Sequence, residues 1–274
     1  MAKLLRALQY IFVIFMAMLM LSPVVMVVMG SLRTRGELAT SVMGLPQQGI
    51  QWVNYTQTLQ SPSFWQQTRN SLFITICVTL GVIVVSSMLA FIFARVEFRG
   101  RSVLFNILTI GLLFPLVVAF VPVFIQIRNV GLMDSYWGVI LPLVTFALPG
   151  NTVILRGFFM SIPKELEEAS YLDGATTFDF FLRILLPLAR PSITAVATLT
   201  IIASWNEFFL PLLVLLNPGK WPLPLGIMQF QGQYGTDWQR VMAFIVLLII
   251  PAVAFYAVAQ RYIVTGLTGG ELKG

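Results

Sequence analysis

Five of the eleven acidic residues in this 274-residue chain, Glu165, Glu167, Glu168, Asp173 and Asp179, fall in one segment between Arg156 and Arg190. Carboxylates can act as acids or bases, bind metals or meet a cationic partner, and the remaining residues decide among these. Histidine is absent and Cys77 is the only cysteine, which excludes His-based triads, histidine metal sites, cysteine clusters and an intrachain disulfide. No Gly-x-x-x-x-Gly-Lys-Ser/Thr phosphate loop occurs, which excludes nucleotide hydrolysis by that route. The expectation is a chain with no catalytic residue, no metal and no cofactor of its own. Its acidic cluster then serves recognition.

The spacing around the cluster predicts a helix, a glycine turn and a second helix. Ser161 is placed to cap the first helix, Pro163 suits its first turn, and Glu165 complements the positive N-terminal dipole end. Gly174 suits the left-handed residue that closes it. Thr176 and Asp179 have capping-box spacing for the helix that runs to Pro187. Ile162, Leu166 and Ala169 stand at i, i+4 and i+7, an apolar face bordered by carboxylates. Such a face is a docking surface for a soluble partner.

A second group is Trp205, Asn206, Glu207 and Phe208, followed by Phe209. Glu207 is the only charged residue within the predicted spans, where a carboxylate at the helix centre costs about 2.5–3.5 kcal/mol. Seventeen residues beyond Arg190, at 1.5 Å each, it lies roughly 25 Å along a helix, in the outer part of a ~30 Å core. Lining a vestibule competes with bonding to helix ends beside Asn206. The aromatic faces of Trp205, Phe208 and Phe209 could stack on a ring, although aromatic residues are common at membrane interfaces.

The elements holding these groups are membrane helices. Apolar residues make up 58% of the chain and charged residues 10%, against about 25% charged in soluble domains, and mean hydropathy is +0.87. That excludes a soluble enzyme, a disordered chain and a nucleic-acid-binding module, despite a net charge of +6. Six stretches nearly free of charge, residues 7–32, 70–94, 102–127, 135–155, 191–219 and 241–260, predict six transmembrane helices and an all-α polytopic fold. The first exceeds a signal-peptide core and reads as an uncleaved anchor.

With both termini inside, the inner segments hold eleven Lys and Arg and the outer ones six, which orients the chain. Prolines at 23, 115, 122, 142, 149, 211 and 251 must face protein or a water-filled cavity wherever they break helices. The expected division is residues 1–69, the anchor and first external segment; 70–264, the membrane domain with the acidic loop at about 157–189; and 265–274, a cytoplasmic tail.

Glu168-Ala169-Ser170, three residues, Gly174, nine residues, Ile184, one residue and Leu186-Pro187 resemble the EAA loop of permease subunits in bacterial ATP-binding-cassette importers. Ser170, in place of the second alanine, is the one departure. Asp173-Gly174-Ala175, Ser204-Trp205-Asn206-Glu207-Phe208, Tyr234-Gly235-Thr236-Asp237-Trp238 and the tail from Gln260 resemble the carbohydrate-uptake type, in particular subunits similar to the second permease of the maltose system.

The resemblance implies a permease subunit of a bacterial inner membrane, paired with a second homologous permease, two ATPase subunits and an external sugar-binding protein. ATP and magnesium would be bound by the ATPases. Coupling to them would fall to Glu165, Glu168, Ala169, Ser170, Asp173, Gly174, Ala175, Leu186 and Pro187. Trp205, Asn206, Glu207 and Phe208 would line the substrate pathway. Gln231, Gln233, Tyr234 and Asp237, with Gln229 nearby, would meet the binding protein. The implied cargo is a mono- or oligosaccharide, or a glycerol-phosphate-type compound. An ion-coupled secondary sugar carrier is the alternative; it needs ionisable relays within the spans, where only Glu207 is available.

Overall fold

The computed structural model describes residues 2–40, 44–113, 116–232 and 235–268, and the chain divides there into two compact units. The first comprises residues up to Gln66 together with Gly226–Pro251, the second Gln67–Leu225 with the residues from Ala252 onward. The first unit is thus discontinuous in sequence.

In the first unit, α1 (Ala2–Ser31) is exposed along its apolar length, as suits a helix whose solvent is lipid. A short external segment follows, with α2 (Arg35–Thr40) and α3 (Val53–Gln60). Glu37 organises it. One carboxylate oxygen accepts from the amides of Gln47 and Gln48 at 2.5 and 2.8 Å, the other from the Thr34 amide at 2.8 Å. Asn54 Nδ2 donates to the carbonyls of Ser31 and Arg33, tying α3 to the end of α1. A two-residue antiparallel ladder, β1 (Gln231–Gly232) with β2 (Gly235–Thr236), completes this unit's irregular structure.

The second unit contains most of α4 (Pro62–Arg95), then α5 (Arg101–Ile110), α6 (Leu116–Asn129) and α7 (Tyr136–Ser161). Next come α8 (Lys164–Leu172), α9 (Thr177–Leu188, with a π-helical stretch over Phe180–Leu185), α10 (Arg190–Trp205) and α11 (Phe209–Val214). Helix α12 (Trp238–Thr268) ends in it. Its core joins Val82, Val139, Leu155, Phe159, Phe180 and Leu185, all below 1% exposed, and α7 packs chiefly on α10.

Among the described residues four helices are long and apolar enough to cross a membrane, or six spans if each bent pair counts once. The pairs are α5 with α6, and α9 with α10, the latter bent by 75°. The second bend follows from Pro187 and Pro191, which supply no backbone donor on either side of Ala189. The stretch 191–219, expected as one helix, stops at Trp205 and resumes at Phe209.

Candidate functional site

The acidic loop forms two helices around a glycine turn. Asp173, Gly174 and Ala175 close α8: the Gly174 amide donates to Tyr171 O at 3.1 Å and the Ala175 amide to Ser170 O at 3.0 Å. That is the Schellman pattern, and it places Gly174 at φ +86°. Thr176 and Asp179 form the reciprocal capping box of α9, whose bonds from Thr176 hold the Asp179 carboxyl below its usual range.

Two local expectations are corrected. Ser161 is not the cap of α8; it ends α7, its Oγ donating to Phe158 O. The reason is Pro163, which pushes Ile162 into extended backbone (ψ 130°) and so ends α7 at Ser161. Ile162 therefore does not share a face with Leu166 and Ala169 either. It is buried, while Leu166 and Ala169 are exposed.

The inward side of α8 is polar. Ser170 is buried with Oγ donating to Glu167 O, and Tyr171 donates to the Glu167 carboxylate at 3.0 Å. Burial pushes the Tyr171 hydroxyl up. Arg95, from the end of α4, pairs with Glu167 at 3.4 Å and donates to the carbonyls of Phe159 and Ile162 at 2.6 Å each. The outward side carries Glu165, Glu168, Ala169 and Asp173 with Leu172, which is 90% exposed; on α9, Phe178 is 64% exposed. Leu186 is half-buried and Pro187 exposed on α9.

The second group lies where the helix breaks. Asn206 ends α10 and donates to Ile202 O, and Glu207 accepts from the Leu210 amide at 3.0 Å, capping α11. Glu207 lines a cavity of about 400 Å³, whereas Trp205 is 1% exposed and packs edge-on against Phe255. Phe208 is half-buried against Phe209.

In the first unit Asp237 pairs with Arg35 at 3.5 Å and Gln229 is exposed. Gln231 lies in β1. Gln233 and Tyr234 lie outside the described residues. Sequence reasoning did not single out Arg95, whose partners on α7 and α8 are more than 60 residues away in the chain.

Residues 86–269, containing both groups, match the family model described as "Binding-protein-dependent transport system inner membrane component". The chain belongs to that family. It is 31% identical over 97% of its length to the diacetylchitobiose uptake system permease of Streptomyces coelicolor, covering 89% of that protein. It is 37% identical to the trehalose/maltose transport system permease of Thermococcus litoralis, over 81% of each chain. Its fold matches a chain of the bacterial transporter for the acidic polysaccharide alginate, with TM-score 0.83, 24% identity and coverage of 95% and 96%. The chain is thus a multi-pass permease subunit of an ATP-binding-cassette importer, not an ATPase and not an ion-coupled carrier.

Proposed function

We propose that this permease is one of two unlike membrane subunits of a sugar importer, with both termini in the cytoplasm. Its α8–α9 pair rests on an ATPase subunit, and its outer segments meet a sugar-loaded binding protein. The observation that carries the reading is the asymmetry of α8. Its inner side is tied through Glu167 to Arg95, while Leu172 stands 90% exposed beside Glu165, Glu168 and Asp173. A large apolar side chain held in water on a rigid, capped element suits an interface. The sugars named for two relatives support carbohydrate as the cargo.

ATP binding would close the paired ATPases and move α8. Arg95 carries that motion to α4, and the helices around the Glu207 cavity open alternately to either side. Ser170 and Gly174 contribute through shape, one filling the buried side of α8 and the other turning the chain into α9. The test is uptake by vesicles holding the assembled transporter and its binding protein. Sugar accumulation that stops on ATP depletion and survives a protonophore is expected; accumulation that follows the proton gradient would overturn the reading.

A further inference from the structure

The cavity in the second unit has a chemistry that membership of the family leaves open. Its volume, about 400 Å³, falls in the range of small-molecule sites, about 300–1,000 Å³. It adjoins two interruptions of helix, the 3-10 turn Gly111–Leu113 and the unwound backbone at Glu207. Irregular backbone at membrane depth is tolerated against protein or a water-filled cavity, not against lipid.

Four polar side chains line it: Asn151, Thr200, Ser204 and Glu207. Ser204 is 9% exposed, and its Oγ is buried with no hydrogen-bond partner. Unlike the other polar residues of the lining, Ser204 therefore has a hydroxyl not committed within the chain, able to donate or accept. The other three already spend one function within the chain. Thr200 Oγ1 donates to Val196 O at 2.9 Å, Asn151 Nδ2 donates to Ala147 O at 2.8 Å, and one Glu207 oxygen accepts from Leu210 N. What they leave toward a ligand is chiefly acceptors: hydroxyl lone pairs, an amide carbonyl and a carboxylate oxygen.

The Glu207 carboxylate and the Asn151 carbonyl need donors from a ligand, while the Ser204 hydroxyl and the second Asn151 N–H can meet either face of a ligand hydroxyl. Among the described residues no Lys or Arg lines the cavity, while Phe146, Leu143 and Leu199 supply apolar wall. Hydroxyl groups on a ring with apolar C–H faces meet both requirements. A carboxylate or phosphate would bring more acceptors and a second negative charge beside Glu207.

We propose that Asn151, Thr200, Ser204 and Glu207 form a subsite for an uncharged, hydroxyl-rich sugar unit and exclude anionic cargo. This rests on the sugar-importer reading and narrows its substrate class. Trp205, buried against Phe255, takes no part.

The test uses the assembled transporter carrying Cys77→Ser and Ser204→Cys, a close replacement that leaves the wall in place. Maltose, trehalose, diacetylchitobiose, digalacturonate and sn-glycerol 3-phosphate are first compared for ATP-dependent uptake by the wild type. The compound taken up best is then used to protect the thiol introduced at position 204 from a small maleimide. An uncharged sugar is expected to win and to slow alkylation. Adding Asn151→Leu should raise the concentration for half-protection about tenfold, the loss of one hydrogen bond. Glu207→Gln, which keeps an acceptor and loses the charge, should let digalacturonate begin to protect.

Preferred uptake of a charged compound overturns the subsite and leaves the importer reading standing. So does alkylation that the transported sugar fails to slow, or an introduced thiol that maleimide never reaches. Absence of ATP-dependent uptake for every compound counts against the sugar-importer reading and the subsite together.

Discussion

Arg95 and Arg156 each cap the other's helix. Arg95, at the end of α4, donates to the carbonyls of Phe159 and Ile162 at the end of α7, each at 2.6 Å. Arg156, on α7, donates through Nε to Phe93 O near the end of α4 at 2.9 Å, with its guanidinium 4.1 Å above the Phe105 ring. The last carbonyls of a helix have no partner within it and carry the negative end of the dipole. The exchange satisfies both ends with charges the dipoles favour. Because Arg95 also holds Glu167, α8 hangs from this clasp.

Arg95→Ala should therefore destabilise the permease by about 1–3 kcal/mol, since it removes the donor of the Phe159 and Ile162 carbonyls and the cation beside half-buried Glu167, which keeps its bond from Tyr171. Arg95→Lys should fall between, because one ammonium cannot reproduce the fork that serves two carbonyls and a carboxylate. Thermal unfolding of the purified transporter checks the order wild type, lysine, alanine. Equal stabilities would mean that the clasp contributes nothing beyond packing.

In the first unit, Glu37 makes the fold pH-sensitive at an unusual place. Backbone N–H groups, that of Thr34 foremost, hold its carboxyl down at about 2, from an ordinary 4.5. A depressed folded-state value means that the stabilisation is fully present above the unfolded value and is lost as pH falls toward the folded one. Limited proteolysis of the segment 33–60 should thus stay flat down to about pH 4.5 and accelerate between there and about pH 2. Glu37→Gln should be cleaved faster at neutral pH and show less change across that window. A wild-type profile from the glutamine variant would show that the carboxylate is dispensable.

The proposed orientation, with both termini in the cytoplasm, rests on the eleven-to-six distribution of cationic residues. Lys3→Cys, in a Cys77→Ser background, should react with a membrane-impermeant maleimide only after sealed cells are permeabilised. Labelling of intact cells would invert the topology and put α8 on the wrong face for an ATPase.

What is legible in the sequence is local. Gly174, and Thr176 with Asp179, reveal themselves because turn and capping chemistry acts within four residues, and the structure has the left-handed glycine and the box. Ser161 misleads because two local rules compete there, and the steric demand of Pro163 on Ile162 prevails over the hydroxyl's capping preference. The break at Glu207 is legible only through Pro211. A search for uncharged runs measures hydropathy and passes over it, whereas the proline lacks the N–H that would bond the carbonyl four residues back, that of Glu207, and its ring crowds that carbonyl. Arg95 cannot be found at all, because its partners are set by the packing of α4 on α7 rather than by any neighbour in the chain.

Gly174 offers the sharpest test of the α8–α9 turn. At φ +86° it occupies a region that costs an L-residue about 1–2 kcal/mol, and more for a branched one. A Cβ built there meets nothing within 4 Å, so the penalty is conformational and not a clash. The chain can escape it only by abandoning the left-handed residue, which would break the bonds from the Gly174 and Ala175 amides and misdirect α9. The membrane spans are untouched by the change, so insertion should be normal. Gly174→Val should therefore reach the membrane at wild-type abundance and yet retain less ATPase subunit on purification, or hydrolyse ATP without importing sugar. Gly174→Ala, with no branch at Cβ, should do the same more mildly. Measuring ATPase retention and uptake for both variants decides the matter: wild-type values with valine would mean that the turn tolerates another backbone path and that coupling does not depend on it.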